Sequence, residues 1–156
     1  MTSLAVADWL DAHAPSLRRI DGHASTATVA DAALALGVEP GRIAKSLAIR
    51  AGDMVMLLIA RGDARLDNRM FKDRFGQRPR MLGPEETLAL TGHPVGGVCP
   101  FGLATPLPVY CDESLRGFAT VFPAAGTRTS SIEVAPEELA KIVGAKWVAV
   151  TRPAEA

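Results

Sequence analysis

Four glycines and two prolines fall within the eleven residues Gly92-His93-Pro94-Val95-Gly96-Gly97-Val98-Cys99-Pro100-Phe101-Gly102. A segment built this way continues neither a helix nor a central strand. The chain must therefore place a folded loop between its regular elements, with main-chain N–H and C=O groups that glycine leaves approachable. The segment holds no Ser/His/Asp arrangement and no metal-ligand spacing. Any chemistry there falls to the backbone; the alternative is an ordinary surface loop.

At 156 residues, with 48% apolar and 22% charged residues, the chain suits one soluble globular domain spanning 1–156. Its formal net charge is zero, which argues against a general polyanion binder. Charge is unevenly spread, however. From Arg61 to Arg80 seven basic residues stand against three aspartates, a local +4 that the remainder balances with −4. Such a segment serves either as a contact for a short run of phosphates or as a solvated, ion-paired surface. The two cysteines, Cys99 and Cys111, are too few for a disulfide framework and fit a reducing cytoplasm. The longest apolar stretch, Met54 to Ala60, is too short to span a bilayer. No basic leader followed by an apolar run opens the chain, so neither a signal peptide nor a membrane partner is expected.

Pattern and capping signals predict interleaved helices and strands. Thr2 or Ser3 caps a helix from Leu4 to Ala14 that Pro15 stops, and a short strand follows at Arg18 to Gly22. Ser25 or Thr26 caps a second helix that Gly37 closes. Ile43 to Arg50 and Met54 to Ala60 read as a hairpin around Ala51-Gly52-Asp53. Helices are expected at Asn68 to Phe75, from Pro84 to Gly92 and from Pro136 to Gly144, the last two opened by proline and glutamates. Further strands fall at Arg80 to Leu82, Pro108 to Cys111, Ala119 to Ala124, Ser131 to Ala135 and Trp147 to Thr151. The architecture is α+β.

Lys45 stands out by parity. Period two places it with Ile43, Leu47 and Ile49 on the core side of its strand, where an unpaired ammonium is costly. Three readings satisfy this: the strand begins only at Ser46, the stem snorkels past the sheet edge, or the face opens into a pocket where the ammonium meets a ligand anion. Ala124-Ala125-Gly126-Thr127 is a second small-residue turn, Asp112 reads as a cap, and Arg61-Gly62-Asp63 reads as a turn after a strand. His93 enters the glycine loop. No His-Glu-x-x-His, Cys-x-x-Cys, Gly-x-Ser-x-Gly or Gly-Lys-Ser/Thr signature occurs, so neither a metal nor an organic cofactor is expected.

Taken in order, Arg42 to Leu47, Leu90 to Gly102, Val109 to Leu115 and Ala124 to Gly126 resemble the YbaK/ProX family of aminoacyl-tRNA deacylases, free-standing relatives of the editing domain of bacterial prolyl-tRNA synthetase. The resemblance implies a mixed, strongly curved, barrel-like sheet of about six or seven strands with helices around it. It also implies hydrolysis of the ester joining a wrong, small amino acid to the 3′ end of a tRNA. Lys45 falls on the family's critical lysine, and Gly96, Gly97 and Pro100 on its Gly-x-x-x-Pro loop. Ser46, His93, Val98, Cys99, Phe101, Gly126 and Thr127 then fall around the substrate. Arg65, Arg69 and Lys72 are the expected tRNA contacts, with the mischarged acceptor end as partner and prolyl-tRNA synthetase as a docking candidate. The alternative classes are a small-ligand-binding module on the same fold and a nucleic-acid-binding regulator. Neutral charge and the lack of a helix-turn-helix signature speak against duplex DNA.

Overall fold

In the computed structural model, which describes residues 2–153, helices and strands alternate along the chain. They are α1 (Leu4–His13), β1 (Arg18–Asp21), α2 (Val29–Leu36), β2 (Ala44–Ala51), β3 (Met54–Arg61), β4 (Arg65–Leu66) and α3 (Asn68–Phe75), followed by β5 (Arg80–Met81), α4 (Pro84–Thr91), β6 (Val109–Asp112), β7 (Ser130–Glu133), α5 (Pro136–Val143), β8 (Lys146–Val148) and β9 (Thr151–Arg152).

Local signals account for the helices. The Ser3 hydroxyl caps α1, Asp67 caps α3, and Gly37, Gly76, Gly92 and Gly144 end α2, α3, α4 and α5 in the left-handed conformation. The second helix departs from expectation at its start. Thr28, rather than Ser25 or Thr26, caps it, accepting from Asp31 N. Thr26 instead bonds the carbonyls of Gly96 and Arg128, both at 3.1 Å.

The strands make a five-stranded mixed sheet in the order β5-β2-β3-β6-β8 and two separate pairs, β1-β7 and β4-β9. The hairpin β2-β3 runs in full register from Ala44↔Arg61 to Ala51↔Met54, while β6 and β8 join in parallel. The expected barrel-like sheet of six or seven strands is not formed: among the described residues nine strands occupy three sheets, and no closed or strongly curled barrel is found. Two places show why. In the expected strand at 119–124, Pro123 removes a donor, and only the single bridges Ile43↔Phe122, Val121↔Val134 and Ala124↔Ser131 form. The expected strand Trp147 to Thr151 is interrupted where the Asp112 carboxylate takes Val150 N (2.8 Å) out of the ladder, and the same carboxylate accepts from Thr151 Oγ1 (2.6 Å). The same carboxylate accepts Ser114 N, the capping role read from sequence.

One core lies on the sheet face carrying Ala44, Ala48, Leu57 and Ile59, where α1, α5 and Phe101 pack. A smaller one lies on the face of Ile49, Met56 and Leu58, covered by α3 through Phe71. Burying such side chains is worth about 1.5–3 kcal/mol each. Among the described residues no helix is long and apolar enough to cross a membrane.

The glycine loop is pinned to this frame from both ends. Ala104 N donates to Thr91 O, Arg128 Nε donates to Val95 O at 2.8 Å, and His93 Nε2 lies 2.7 Å from Phe101 O. Since a carbonyl only accepts, Nε2 carries the proton. His93 is 1% exposed, its Nδ1 has no partner, and burial depresses its pKa below 6.5. The folded protein thus keeps the ring neutral while the unfolded chain protonates it. Stability is full above about pH 6.5 and is lost as pH falls through the window below it. His93→Gln, which retains an N–H donor, should flatten the melting-temperature profile between pH 7 and 5. An equally steep profile in both proteins would assign the acid sensitivity elsewhere.

Candidate active site

A cavity of about 310 Å³ opens along the outer edge of β2. Its walls are β2 from 44 to 48, the start of α2, Met81 and Leu82, Phe122, and the glycine loop at Gly96 and Val98. It occupies a gap in the β-ladder. On this edge Ala44 N donates to Phe122 O and Leu82 N donates to Ala48 O, each at 3.1 Å. β5 pairs only with Ile49 and Arg50. Ser46 shares the parity of Ala44 and Ala48, so its main-chain N–H and C=O face the same gap. Its hydroxyl also lines the cavity, buried and without a hydrogen-bond partner.

Lys45 is the one charged residue among the described lining residues. Its Nζ donates to Ala64 O at 2.5 Å. Burial pulls its pKa down from the ordinary lysine value, and the charges of Asp63 and Asp112 push back. The parity that singles out Lys45 is therefore met by a cation at the boundary between cavity and core. Leu47 and Ile49, on the same face, pack into the smaller core.

Of the residues expected at the site, Lys45, Ser46, Gly96 and Val98 line the cavity. The others stand behind the loop. Gly97 is packed so closely on the neighbouring turn that a Cβ there would lie 2.8 Å from Thr127 N, and its own N–H closes a turn onto Pro94 O. Pro100 is buried, and Cys99 and Phe101 belong to the main core, as does His93 to its margin. Burial pushes the thiols of Cys99 and Cys111 up to about 12, so neither is a ready nucleophile. Gly126 packs against Ser3 and Val6 of α1, and the Thr127 hydroxyl meets Ser130 Oγ at 2.6 Å. Among the described residues no group of three His, Cys, Asp or Glu side chains is arranged to hold a metal.

Arg65, Arg69 and Lys72 are exposed on β4 and α3. Lys72 shares a shallow depression with Arg50, Arg78 and Arg80. Arg50 and Arg80 are register partners across β2 and β5, and Arg50 also pairs with Glu86 at 2.5 Å. The next residue along β5, Met81, already lines the cavity. Arg50 escaped the sequence reading because it lies outside the basic run and joins it only through strand pairing.

The arrangement offers one cation and main-chain groups around a small, otherwise uncharged space. Three comparisons bear on what that space is for. The uncharacterized protein YwhH of Bacillus subtilis is 52% identical over 130 residues, covering 82% of this chain and 83% of its own. EbsC of Enterococcus faecalis, named as a candidate Cys-tRNA(Pro)/Cys-tRNA(Cys) deacylase, is 29% identical over 84% of this chain and 79% of its own. A crystal structure described as a candidate trans-editing enzyme for prolyl-tRNA synthetase superposes with a TM-score of 0.87 at 35% identity, covering 97% of this chain and 99% of that one. Residues 23–142 match the family described as the aminoacyl-tRNA editing domain. With that match spanning most of its length and its fold shared throughout, the chain belongs to the aminoacyl-tRNA editing domain family, in the YbaK/ProX group.

Proposed function

We propose that residues 1–156 form one trans-editing deacylase domain that hydrolyses the ester of a mischarged tRNA, tRNA-Pro foremost, carrying a small amino acid. The observation that carries this reading is the meeting of Lys45 with Gly96 and Val98 around one small cavity. The aminoacyl ester is already activated, so no protein nucleophile is required. Holding ester, ribose hydroxyl and water in attack geometry supplies part of the acceleration. Lys45 positions the terminal phosphate or adenosine and offsets developing charge, which a cation does best in a cavity with little competing polarity. The N–H of Gly97 is spent on Pro94, so the oxyanion falls to Gly96, Val98 and, on the facing strand, Ser46. Each such donor is worth about 2.7–4 kcal/mol. Pro100, Cys99, Phe101, Gly126 and Thr127 act from behind by fixing the loop.

Cavity size sets the substrate class. Alanine, 2-aminobutyrate, serine, threonine and cysteine fit a space of about 310 Å³ shared with part of the adenosine. A methylene more or less changes binding by only about 1–3 kcal/mol, which is why a synthetase needs a second sieve. The exposed cations Arg65, Arg69 and Lys72, with Arg50, Arg78 and Arg80 beside them, suit the acceptor-stem phosphates. Prolyl-tRNA synthetase is the natural docking partner and the cytoplasm the natural compartment.

The test is deacylation of tRNAs charged with alanine, 2-aminobutyrate, serine, threonine, cysteine and proline. One or two small residues should be released and proline spared, with Lys45→Ala slowed at least 100-fold. A flat panel for the wild type would instead favour a small-ligand-binding module on this fold. Charge reversal of Arg65, Arg69 and Lys72 to glutamate should weaken tRNA binding. It should also flatten its salt dependence by roughly 0.7–0.9 in slope per lost contact. An unchanged slope would remove those three from the interface.

A further inference from the structure

The ammonium of Lys45 does not end free in the cavity that this residue lines; it is mounted. Its Nζ donates to the carbonyl of Ala64, which is 4% exposed. Two carboxylates, Asp63 and Asp112, act on it electrostatically. The register Lys45↔Ala60 and Ile59↔Cys111 brings Lys45 and Asp112 to one face of the sheet. Asp112 is itself saturated by Ser114, Val150 and Thr151.

The turn that carries Asp63 and Ala64 is held on every side. Arg61 donates through Nε and an Nη to both carboxylate oxygens of Asp63, at 2.5 and 3.1 Å. This bidentate geometry fixes direction as well as distance. The Arg61 guanidinium lies 4.8 Å from the Phe118 ring centroid, and Arg61 N donates to Ser114 Oγ. Ala64 N closes the turn on Arg61 O at 3.0 Å. Between them Gly62 is pressed so hard against the preceding segment that a Cβ would lie 2.3 Å from Pro40 O. A turn with nothing to position has no need of such constraint.

We propose that the Arg61-Gly62-Asp63-Ala64 turn positions Lys45 for the reaction. The Ala64 carbonyl takes one of the three ammonium protons and leaves two for the substrate, and the charge of Asp63 favours the cationic form against burial. The inference rests on the deacylase reading of Lys45. Asp63 and Ala64 do not touch the substrate; they act through the lysine. The charges acting on that ammonium are Asp63 on this turn and Asp112 at the end of β6, and Arg61 is the ion-pair partner of Asp63. Removing the charge of Asp63 takes away an attraction and uncovers the Arg61 cation. Removing Arg61 does the reverse.

Two variants therefore shift Lys45 in opposite directions, which a shared folding defect does not do. With ¹³Cε-labelled lysine, the Lys45 titration midpoint should fall by about one unit or more in Asp63→Asn. It should return in Asp63→Glu and rise in Arg61→Gln, with melting curves confirming that each variant is folded. Deacylation by Asp63→Asn should show a raised KM, and its kcat/KM should fall away at a lower pH than that of the wild type as the pH is raised, while Asp63→Glu restores the wild-type profile. A Lys45 midpoint that stays put in both folded variants overturns the proposal, whatever ester the protein cleaves. Shifts of opposite sign in a protein whose wild type cleaves no ester would establish the mount and refute the deacylase reading separately.

Discussion

An interruption in one β-ladder governs the rest of this structure. Between the Ala44–Phe122 and Ala48–Leu82 hydrogen bonds, the edge of β2 away from β3 has no strand paired to it among the described residues, and the main-chain groups of Ser46 face outward. Buried backbone donors and acceptors want partners, and an open strand edge is a ready template for whatever chain or ligand meets it. Here the edge is roofed by a loop rather than filled by a strand. The roof stays off the edge because Thr26, Arg128, His93 and Ala104 hold it at both ends. The cavity is thus what remains when a glycine loop is tethered over a strand it does not pair with. Loop and lysine, 51 residues apart in sequence, become neighbours for the same reason.

That geometry explains which parts of the fold were legible in the sequence. Most helix ends were, because a first-turn proline or a terminal glycine acts within a few residues of itself; the start of α2 was not, since Thr28 rather than Ser25 or Thr26 caps it. The hairpin was, because its turn is local. Sheet order was not: the parallel joining of β3, β6 and β8 and the pair Arg65–Arg152, Leu66–Thr151 depend on segments distant in sequence. Asp112 shows the limit well. Its capping of Ser114 was readable, yet the same carboxylate breaks a strand 38 residues away by capturing Val150 N.

The site divides along the same line. Lys45 was visible because a charge on the core parity of a strand violates a local rule, and such violations gather at functional places. The glycine loop was visible by composition, but which of its residues face the cavity was not. Gly96 and Val98 turn towards it, whereas Cys99, Phe101 and His93 turn to the core. Motif position alone does not carry that alternation. Arg50 was hidden because only strand pairing brings it to Arg80.

Among the described residues, neither thiol nor the buried histidine is free to act on a ligand. Burial holds both thiols near 12 and keeps the imidazole of His93 neutral, with its one donor spent on Phe101. Aspartates exist close to Lys45, but they are committed: Asp63 to Arg61, and Asp112 to three donors. What these residues leave to act on a ligand is one cation and the polar groups of an otherwise uncharged cavity wall. Such a site is poor at breaking a stable bond and well suited to orienting an already reactive one, since preorganised charge needs no rearrangement when the transition state forms. On the deacylase reading proposed above, the chemistry of an activated ester and the groups around this cavity suit one another, with Lys45 at the edge of the core as the cation of that arrangement.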